Sequence, residues 1–579
     1  MKEEVKKVIK KAVGKKIKEF FVEVPTNKKF GDYSTNIALV LAKNLGKNPV
    51  EVANEIKNKI KSKLFEKIEV AGPGFINFFI TSKVVLENIE KIDEDYGKND
   101  ELKNKKVIID YTDPNPFKEF HIGHLMSNAI GESLSRIFEF EGGKVKRVCY
   151  QGDVGIHVAK AIFGAIWLPQ QKNIPMPKDD APLAEKMSFW AQAYAFGASC
   201  YENIEQAKKE IVAINKKIFS KFDRSVELGE QGQQYDLSKV FEYYEKGKEC
   251  SLEHFDQLYK KLNTKFDYFI FESKVSGVGK RIVQKGLDKD IFEEGENGAI
   301  IFDGEQFDLH TRVFINSEGL PTYEAKDLGL AEVKYEKYKY DKSVIVTGNE
   351  VNEYFKVVLK AMEQVAPALA KKTKHIGHGM LRLPEGKMSS RTGNVVTGES
   401  LLNQIEEIIK EKMKDRELSD AERKVISEKV AVGAIRYSIL KQNIGSDIIY
   451  DFNKSVSFDG DSGPYLQYAH TRAQSVLRKA KEDGVVASFD KLPKEITQLE
   501  RTINHFPEIV LQAGQSYEPH FILTYLTDLA SEFNNYYTKN KIVDKKDENS
   551  AYRVALTAAF SQVMKNGMWL LGINTLERM

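Results

Sequence analysis

Cysteine is scarce in this chain: there are three in 579 residues, Cys149, Cys200 and Cys250, far apart and without a CxxC pair. That spacing offers neither a disulfide scaffold nor a zinc knuckle, so a reduced fold with no protein-bound zinc or other metal is expected. Long apolar runs are missing too. Nothing approaches the roughly 20 residues that span a bilayer, which excludes a membrane helix. The N-terminus carries Glu3 and Glu4 and has neither a signal-like apolar core nor an Arg/Ser bias, so a cytoplasmic protein is expected. No charge sign dominates either, with 87 basic residues against 84 acidic ones. Affinity for nucleic acid would have to come from local patches rather than from a global field. A length of 579 residues exceeds what one core supports and predicts several domains.

The chain is organised around residues 107–157. Val107, Ile108 and Ile109 form the short apolar run of a buried parallel strand, which the Asp/Pro/Asn cluster ends near Thr112. From Leu125, apolar residues recur with a helical period at Ile130, Leu134, Ile137 and Phe138; Gly142 and Gly143 close the helix before a second strand at Val145 to Tyr150. Such a strand, loop, helix and strand binds nucleotides beyond the strand end, where free N–H groups and the helix dipole favour phosphate. His121-Ile122-Gly123-His124 falls at that place. Gly123 leaves room for a base or ribose, and the two imidazoles can donate to phosphate oxygens, although ordinary surface histidines at a helix start would look alike.

The same tetrapeptide recurs at His375 to His378, after a Lys-rich stretch and ahead of the strand-like Met380-Leu381-Arg382-Leu383. No helix start is expected there, so the second copy reads as chance. Lys387-Met388-Ser389-Ser390-Arg391-Thr392-Gly393-Asn394, further on, carries two cations and small hydroxyls suited to clamping a polyphosphate.

A HIGH tetrapeptide at a helix start, followed downstream by a KMSKS-like loop, resembles the paired signature of class I aminoacyl-tRNA synthetases, and the arginyl-tRNA synthetase family in particular. The resemblance extends to the Phe30 to Asn36 and Gly72 to Phe78 segments, Pro321-Thr322-Tyr323, Tyr465 to His470 and the terminal Leu576 to Met579. It implies an α/β fold with a Rossmann-type parallel-sheet catalytic domain at 100–450, carrying a helical insertion at 161–266. An N-terminal tRNA-corner-binding α+β domain at 1–99 and an all-helical anticodon-binding domain at 451–579 would flank it. It implies an ATP-dependent ligase that joins arginine to tRNA(Arg), works with Mg²⁺ and is a monomer.

The resemblance also implies roles for residues. His121, His124, Lys118 and Lys387 would stabilise the reacting phosphate, Lys118 standing in for the second KMSKS lysine, which is Ser390 here. The nucleotide would meet His121, Gly123, His124, Gly348, Met380, Lys387 and Ser389. Arginine would meet Asp113, Asn115, His124, Tyr323, Asp327 and Asn349, the Asp327 carboxylate pairing with the guanidinium. Asp327 could instead be a helix-face charge paired with Lys326 or Lys334. Transfer RNA would meet Phe75, Asn77, Tyr468, Tyr537 and Met579, with Tyr465 and Tyr536 as further stacking faces; a core role for Phe75 stays open. His157 stands where the family more often has Gln, and Asn349 where it often has Gln or a His pair.

Elsewhere the first 20 residues carry Val5, Val8 and Ile9 on one face and eight lysines around the rest, a basic amphipathic helix that is either solvated or turned to RNA. Residues 161–266 read as helical and polar, without visible chemistry. The second half of the nucleotide fold is expected to resume at Gly298 to Phe302 and Thr311 to Phe314. A nucleotidyl transferase sharing HIGH and a lysine loop would need neither flanking domain. A non-catalytic tRNA-binding scaffold would tolerate loss of His121, His124 or Lys387, all of which are present.

Overall fold

The computed structural model describes residues 1–14, 19–25, 27–223, 226, 234–382, 397–493 and 495–579. Its centre is a sheet of five parallel strands: Lys106–Asp110, Lys144–Gln151, Tyr268–Phe271, Lys342–Gly348 and Thr373–His378, the first to the fifth. Their order across the sheet is third, second, first, fourth, fifth. The direction of winding reverses between the first and fourth strands, which opens a crevice beyond their carboxyl ends. Val107, Ile108 and Ile109 are fully buried, as a strand covered on both faces requires.

The helix Ile122–Phe140 is buried along almost its whole length, between the sheet and the helices of the C-terminal region. Its Ser133 hydroxyl donates to the Leu570 carbonyl at 2.9 Å, and Arg136 donates to the carbonyls of Trp569 (3.0 Å) and Asn263 (2.8 Å). Buried charge on this helix is matched: Glu132 takes Arg136 at 2.6 Å and Arg147 at 3.1 Å, and accepts the Tyr111 hydroxyl at 2.5 Å.

Near the N-terminus, a four-stranded antiparallel sheet in the order Val22–Glu23, Tyr33–Thr35, Phe75–Ile80, Phe65–Ala71 packs against helices Ile37–Leu45 and Pro49–Lys59. The first helix, Lys2–Val13, is shorter than the lysine pattern suggested, because Gly14 takes a left-handed cap; Val5 and Ile9 are its buried face. Arg501 of the helical region binds Asp32 at 2.7 Å and Glu66 at 2.9 Å, fixing this sheet to the C-terminal helices.

Helices Ile156–Lys172, Leu183–Asn203, Glu205–Ser220 and Val240–Lys261 form the insertion and share a core of their own. One expectation fails after it. Ile300–Phe302 and Arg312–Ile315 belong to a separate three-stranded antiparallel sheet, and the parallel sheet resumes earlier, at Tyr268–Phe271. Four residues with no clean alternation were too short to stand out. The second HIGH copy is the fifth strand itself, as the lack of a helix start required: His375 bonds the Thr347 hydroxyl at 2.7 Å and stacks on Phe355.

Candidate active site

The crevice is built from the ends of the first and fourth strands and the start of the helix at Ile122. His121 is the N-cap residue of this helix, and its backbone N–H donates to Nδ1 of His124 at 3.0 Å. The two rings stack with centroids 3.5 Å apart. Burial, and after it the charges of His121 and Lys118, hold the His124 pKa well below the ordinary imidazole value. A neutral ring whose Nδ1 accepts must carry its proton on Nε2, so His124 is fixed as a donor from Nε2. Gly123 lies under the His121 ring, where a Cβ would come within 3.0 Å of it.

The loop before this helix is strained. Thr112 and Asp113 have φ values of 78° and 46°, left-handed backbone that non-glycine residues seldom adopt. The strain is held from the helix: the Thr112 N–H donates to Ser127 Oγ at 3.1 Å, and Asn128 donates to the Thr112 hydroxyl at 3.0 Å. The bend turns Asp113 towards the second strand, where Oδ1 accepts the Tyr150 N–H at 2.7 Å. Asn115 likewise accepts the Gly152 N–H at 2.7 Å. Lys118 is half-buried next to both HIGH histidines; burial pulls its pKa down, Lys160 adds to that, and Glu272 opposes it.

Across the crevice, Tyr323 and Asp327 lie on the first turns of helix Tyr323–Tyr338. Tyr323 is 55% exposed, whereas Asp327 is sheltered and accepts the Tyr354 hydroxyl at 2.6 Å. Neither lysine proposed as its helix-face partner takes it. Lys326 binds Glu272 at 2.6 Å, and Lys334 binds Asp110 at 3.1 Å. Burial first, and then the charges of Asp110 and Glu272, raise the Asp327 pKa to about 7, against the Tyr354 hydrogen bond and Lys334. Burial and Asp110 likewise push Asp113 well above the usual carboxylate range. The crevice is therefore a sheltered concentration of acid, matched in sign to a cationic ligand.

Gly348 ends the fourth strand and Asn349 opens the short 3-10 turn after it, and Met380, 45% exposed, follows the fifth strand. Lys387 and Ser389 lie outside the described residues. His157, at the position that departs from the family pattern, is buried; its Nε2 bonds the Gly152 carbonyl at 2.9 Å, and burial lowers its pKa to about 3.

Sequence reasoning missed Glu272, Asp110, Tyr150 and Tyr354. Glu272 opens the helix after the overlooked third strand, and a Cβ on Gly152 would lie 2.9 Å from its Oε1. Asp110 carried a signal, an acid closing the apolar run Val107 to Ile109. The insertion also reaches the site. Asp153 accepts from Tyr244 (2.8 Å) and Lys248 (2.6 Å) of its last helix and from the Ser273 N–H (2.9 Å), so the insertion is fastened behind the second strand.

The remaining candidates lie far from the crevice. On strand Phe75–Ile80, the fully buried Ile76, Phe78 and Ile80 point into the core, leaving Phe75 and Asn77 on the opposite face. Phe75 is half-buried against Phe21, and Asn77 is 3% exposed. In the helical region the Arg472 guanidinium lies over the rings of both Tyr468 and Tyr537, and Met579 shares a small hollow with Tyr468, Lys412 and Arg416. Tyr536, by contrast, is 9% exposed and is core, since the helical period turns it inward from Tyr537. Among the described residues no group of three or more His, Cys, Asp or Glu is arranged around a metal, and no helix is long and apolar enough to cross a membrane.

Comparison with known proteins agrees along the whole chain. The family described as "tRNA synthetases class I (R), catalytic domain" matches residues 86–452. "Arginyl tRNA synthetase N terminal domain" matches 1–80, and "DALR anticodon binding domain" matches 466–579. An arginine–tRNA ligase of Fusobacterium nucleatum is 32% identical over 98% of this chain and 96% of its own length. One from Clostridium perfringens is 29% identical over 98% of this chain and its full length, 100%. Among solved structures, the arginyl-tRNA synthetase of Thermus thermophilus superposes with a TM-score of 0.79 at 23% identity, covering 100% of both chains. That of Plasmodium falciparum gives 0.78 at 23% identity, covering 100% of this chain and 99% of its own. At such identity the two structures speak for the fold alone.

Proposed function

The chain belongs to the class I arginyl-tRNA synthetase family: it is an ATP-dependent arginine–tRNA ligase, and we propose how its residues divide that work. In the first step a carboxylate oxygen of arginine attacks the α-phosphorus of ATP and pyrophosphate leaves. In the second, a hydroxyl of the terminal tRNA ribose attacks the activated carbonyl and AMP leaves. Neither step needs more from the protein than alignment and charge stabilisation.

The nucleotide lies over Gly123 and along Gly348 and Met380. His121, His124 (through Nε2–H), Lys118 and, from the sequence, Lys387 and Ser389 surround its phosphates. Mg²⁺ enters with the nucleotide, neutralising phosphate charge. Arginine lies in the acid crevice, its guanidinium on Asp327 under the Tyr323 ring and its ammonium end towards Asp113, Asn115, His124 and Asn349. The observation that carries this reading is the sheltered pair Asp113 and Asp327 beside the start of the HIGH helix. Residues 1–99 grip the tRNA corner through Phe75 and Asn77. Residues 100–450 are the catalytic domain, and 451–579 read the anticodon loop with Tyr468, Tyr537 and Met579. The protein works as a monomer in the cytoplasm.

The test is an aminoacylation assay offering each of the twenty amino acids with unfractionated tRNA. Charging confined to arginine is expected; charging with lysine or with a neutral residue at comparable rate would overturn the assignment of the crevice.

A further inference from the structure

Beneath the crevice lies an ion pair that contacts neither proposed substrate. Lys334 and Asp110 meet at 3.1 Å with side chains 1% and 2% exposed. Lys334 is two helical turns beyond Asp327, on the same face of its helix, and Asp110 is the last residue of the first strand, just ahead of the strained Thr112 and Asp113. One Asp110 oxygen, Oδ1, is buried with no donor within reach, and its acidic neighbour is Asp113. A proton shared between those two carboxyls is the donor this oxygen can find. Four carboxylates thus crowd the pocket, Asp110, Asp113, Glu272 and Asp327, and the lysines in contact with them are each spoken for: Lys326 by Glu272 and Lys334 by Asp110.

We propose that Lys334 is a positioning residue for arginine specificity: by pairing in contact with Asp110, it leaves Asp113 and Asp327 open as the two negative charges that match the ammonium and guanidinium of arginine. This rests on the placement of arginine in the crevice. The groups facing Lys334 are Asp110 on the first strand, Asp113 in the following loop, Asp327 on its own helix and Tyr340 in the turn beyond. Without the lysine, Asp110 and Asp113 would retain a proton to higher pH, and arginine would have to displace it in order to bind. The charge of Lys334 would then be felt in affinity and its pH dependence, and not in turnover once the pocket is filled.

The experiment measures arginine affinity by calorimetry against pH on the full chain, with turnover at saturating arginine as the second readout. Removing an opposite charge at this range moves a carboxyl by about 1–3 units, so Lys334→Met should raise the pH midpoint of arginine affinity by about that much. Turnover above the new midpoint should stay within about twofold of the parent. Lys334→Arg should keep the parental midpoint. The double variant Asp110→Asn/Lys334→Met removes both charges, leaves an amide to donate to Asp113 and should return the midpoint towards the parent. It carries the test where the single variant fails to fold. An unmoved midpoint in Lys334→Met, or a double variant displaced as far as the single one, would overturn the proposal. Parental arginine affinity in Asp327→Asn would overturn the pocket itself. Lost affinity there, with an unmoved midpoint in Lys334→Met, would overturn the role of Lys334 alone.

Discussion

The Tyr354 hydroxyl donates to Asp327 Oδ2 at 2.6 Å. One carboxylate oxygen is thereby anchored, and in the proposed pocket the other meets the ligand. An anchored carboxylate presents a guanidinium with a fixed plane, which a freely turning one would not.

Arginine affinity should depend on pH through this residue. A carboxyl held up to about 7 by burial is protonated below that value and cannot pair with a guanidinium. Affinity should therefore rise as pH increases through about 7, level off above it, and be accompanied by proton release on binding. Asp327→Asn should remove this residue's share of the dependence, leaving that of the Asp110–Asp113 pair, and weaken binding by about 3–5 kcal/mol, since it leaves a guanidinium without its partner. Titration calorimetry in buffers of differing ionisation heat would check both.

Phe75→Ala should weaken tRNA binding by about one to two orders of magnitude, the effect of losing a stacking contact of about 1–3 kcal/mol. The strand's core face is filled by Ile76, Phe78 and Ile80, so thermal stability should change little. A collapse in Tm with unchanged tRNA affinity per folded molecule would make Phe75 structural.

Lys118→Ala and Lys387→Ala should each slow adenylate formation, by about 10²–10³ for a preorganised donor. Two groups serving one charge are non-additive, so the double variant should be less impaired than the product of the singles. Ser390→Lys should partly restore Lys118→Ala by returning a cation to the loop. Rapid-quench measurement of adenylate would show it, and full activity in Lys118→Ala would count against the shared role.

Glu141, at the end of the HIGH helix, is 1% exposed, and burial followed by Glu101 raises its pKa to about 8. A carboxyl raised in the folded state binds its proton more tightly there than when unfolded. Stability from this group is complete below the unfolded value and falls as pH rises through about 8. Glu141→Gln should leave Tm unchanged in acid, raise it progressively up to about pH 8 and hold that gain above it, which a series of melts across pH would reveal.

Much of the fold could be read along the chain because its signals are local. The apolar run Val107 to Ile109, the helical period from Leu125 to Phe138 and the glycine break at 72–74 each act over a few residues, and the structure has an element at each. The carboxylate set of the crevice was only half legible. Asp113 and Asp327 came from resemblance, while Glu272 and Asp110 emerged only when strands distant in sequence were set side by side. Helix spacing places Lys326 and Lys334 near Asp327 and offers them as its alternative partners. The end of the first strand and the helix after the third supply better partners, Asp110 and Glu272, and so leave Asp327 for a ligand.

The bonds from Ser133 and Arg136 to the carbonyls of Leu570 and Trp569 bear on how this protein can be cut. Along the chain, the helical region looks like a separable appendix. In space, the turn that ends its last helix forms one wall of the groove in which the HIGH helix lies. A catalytic fragment ending near residue 450 would expose that flank and take the Trp569 carbonyl from the Arg136 guanidinium. The break between these regions is visible in the sequence, but it is not a seam along which the molecule comes apart.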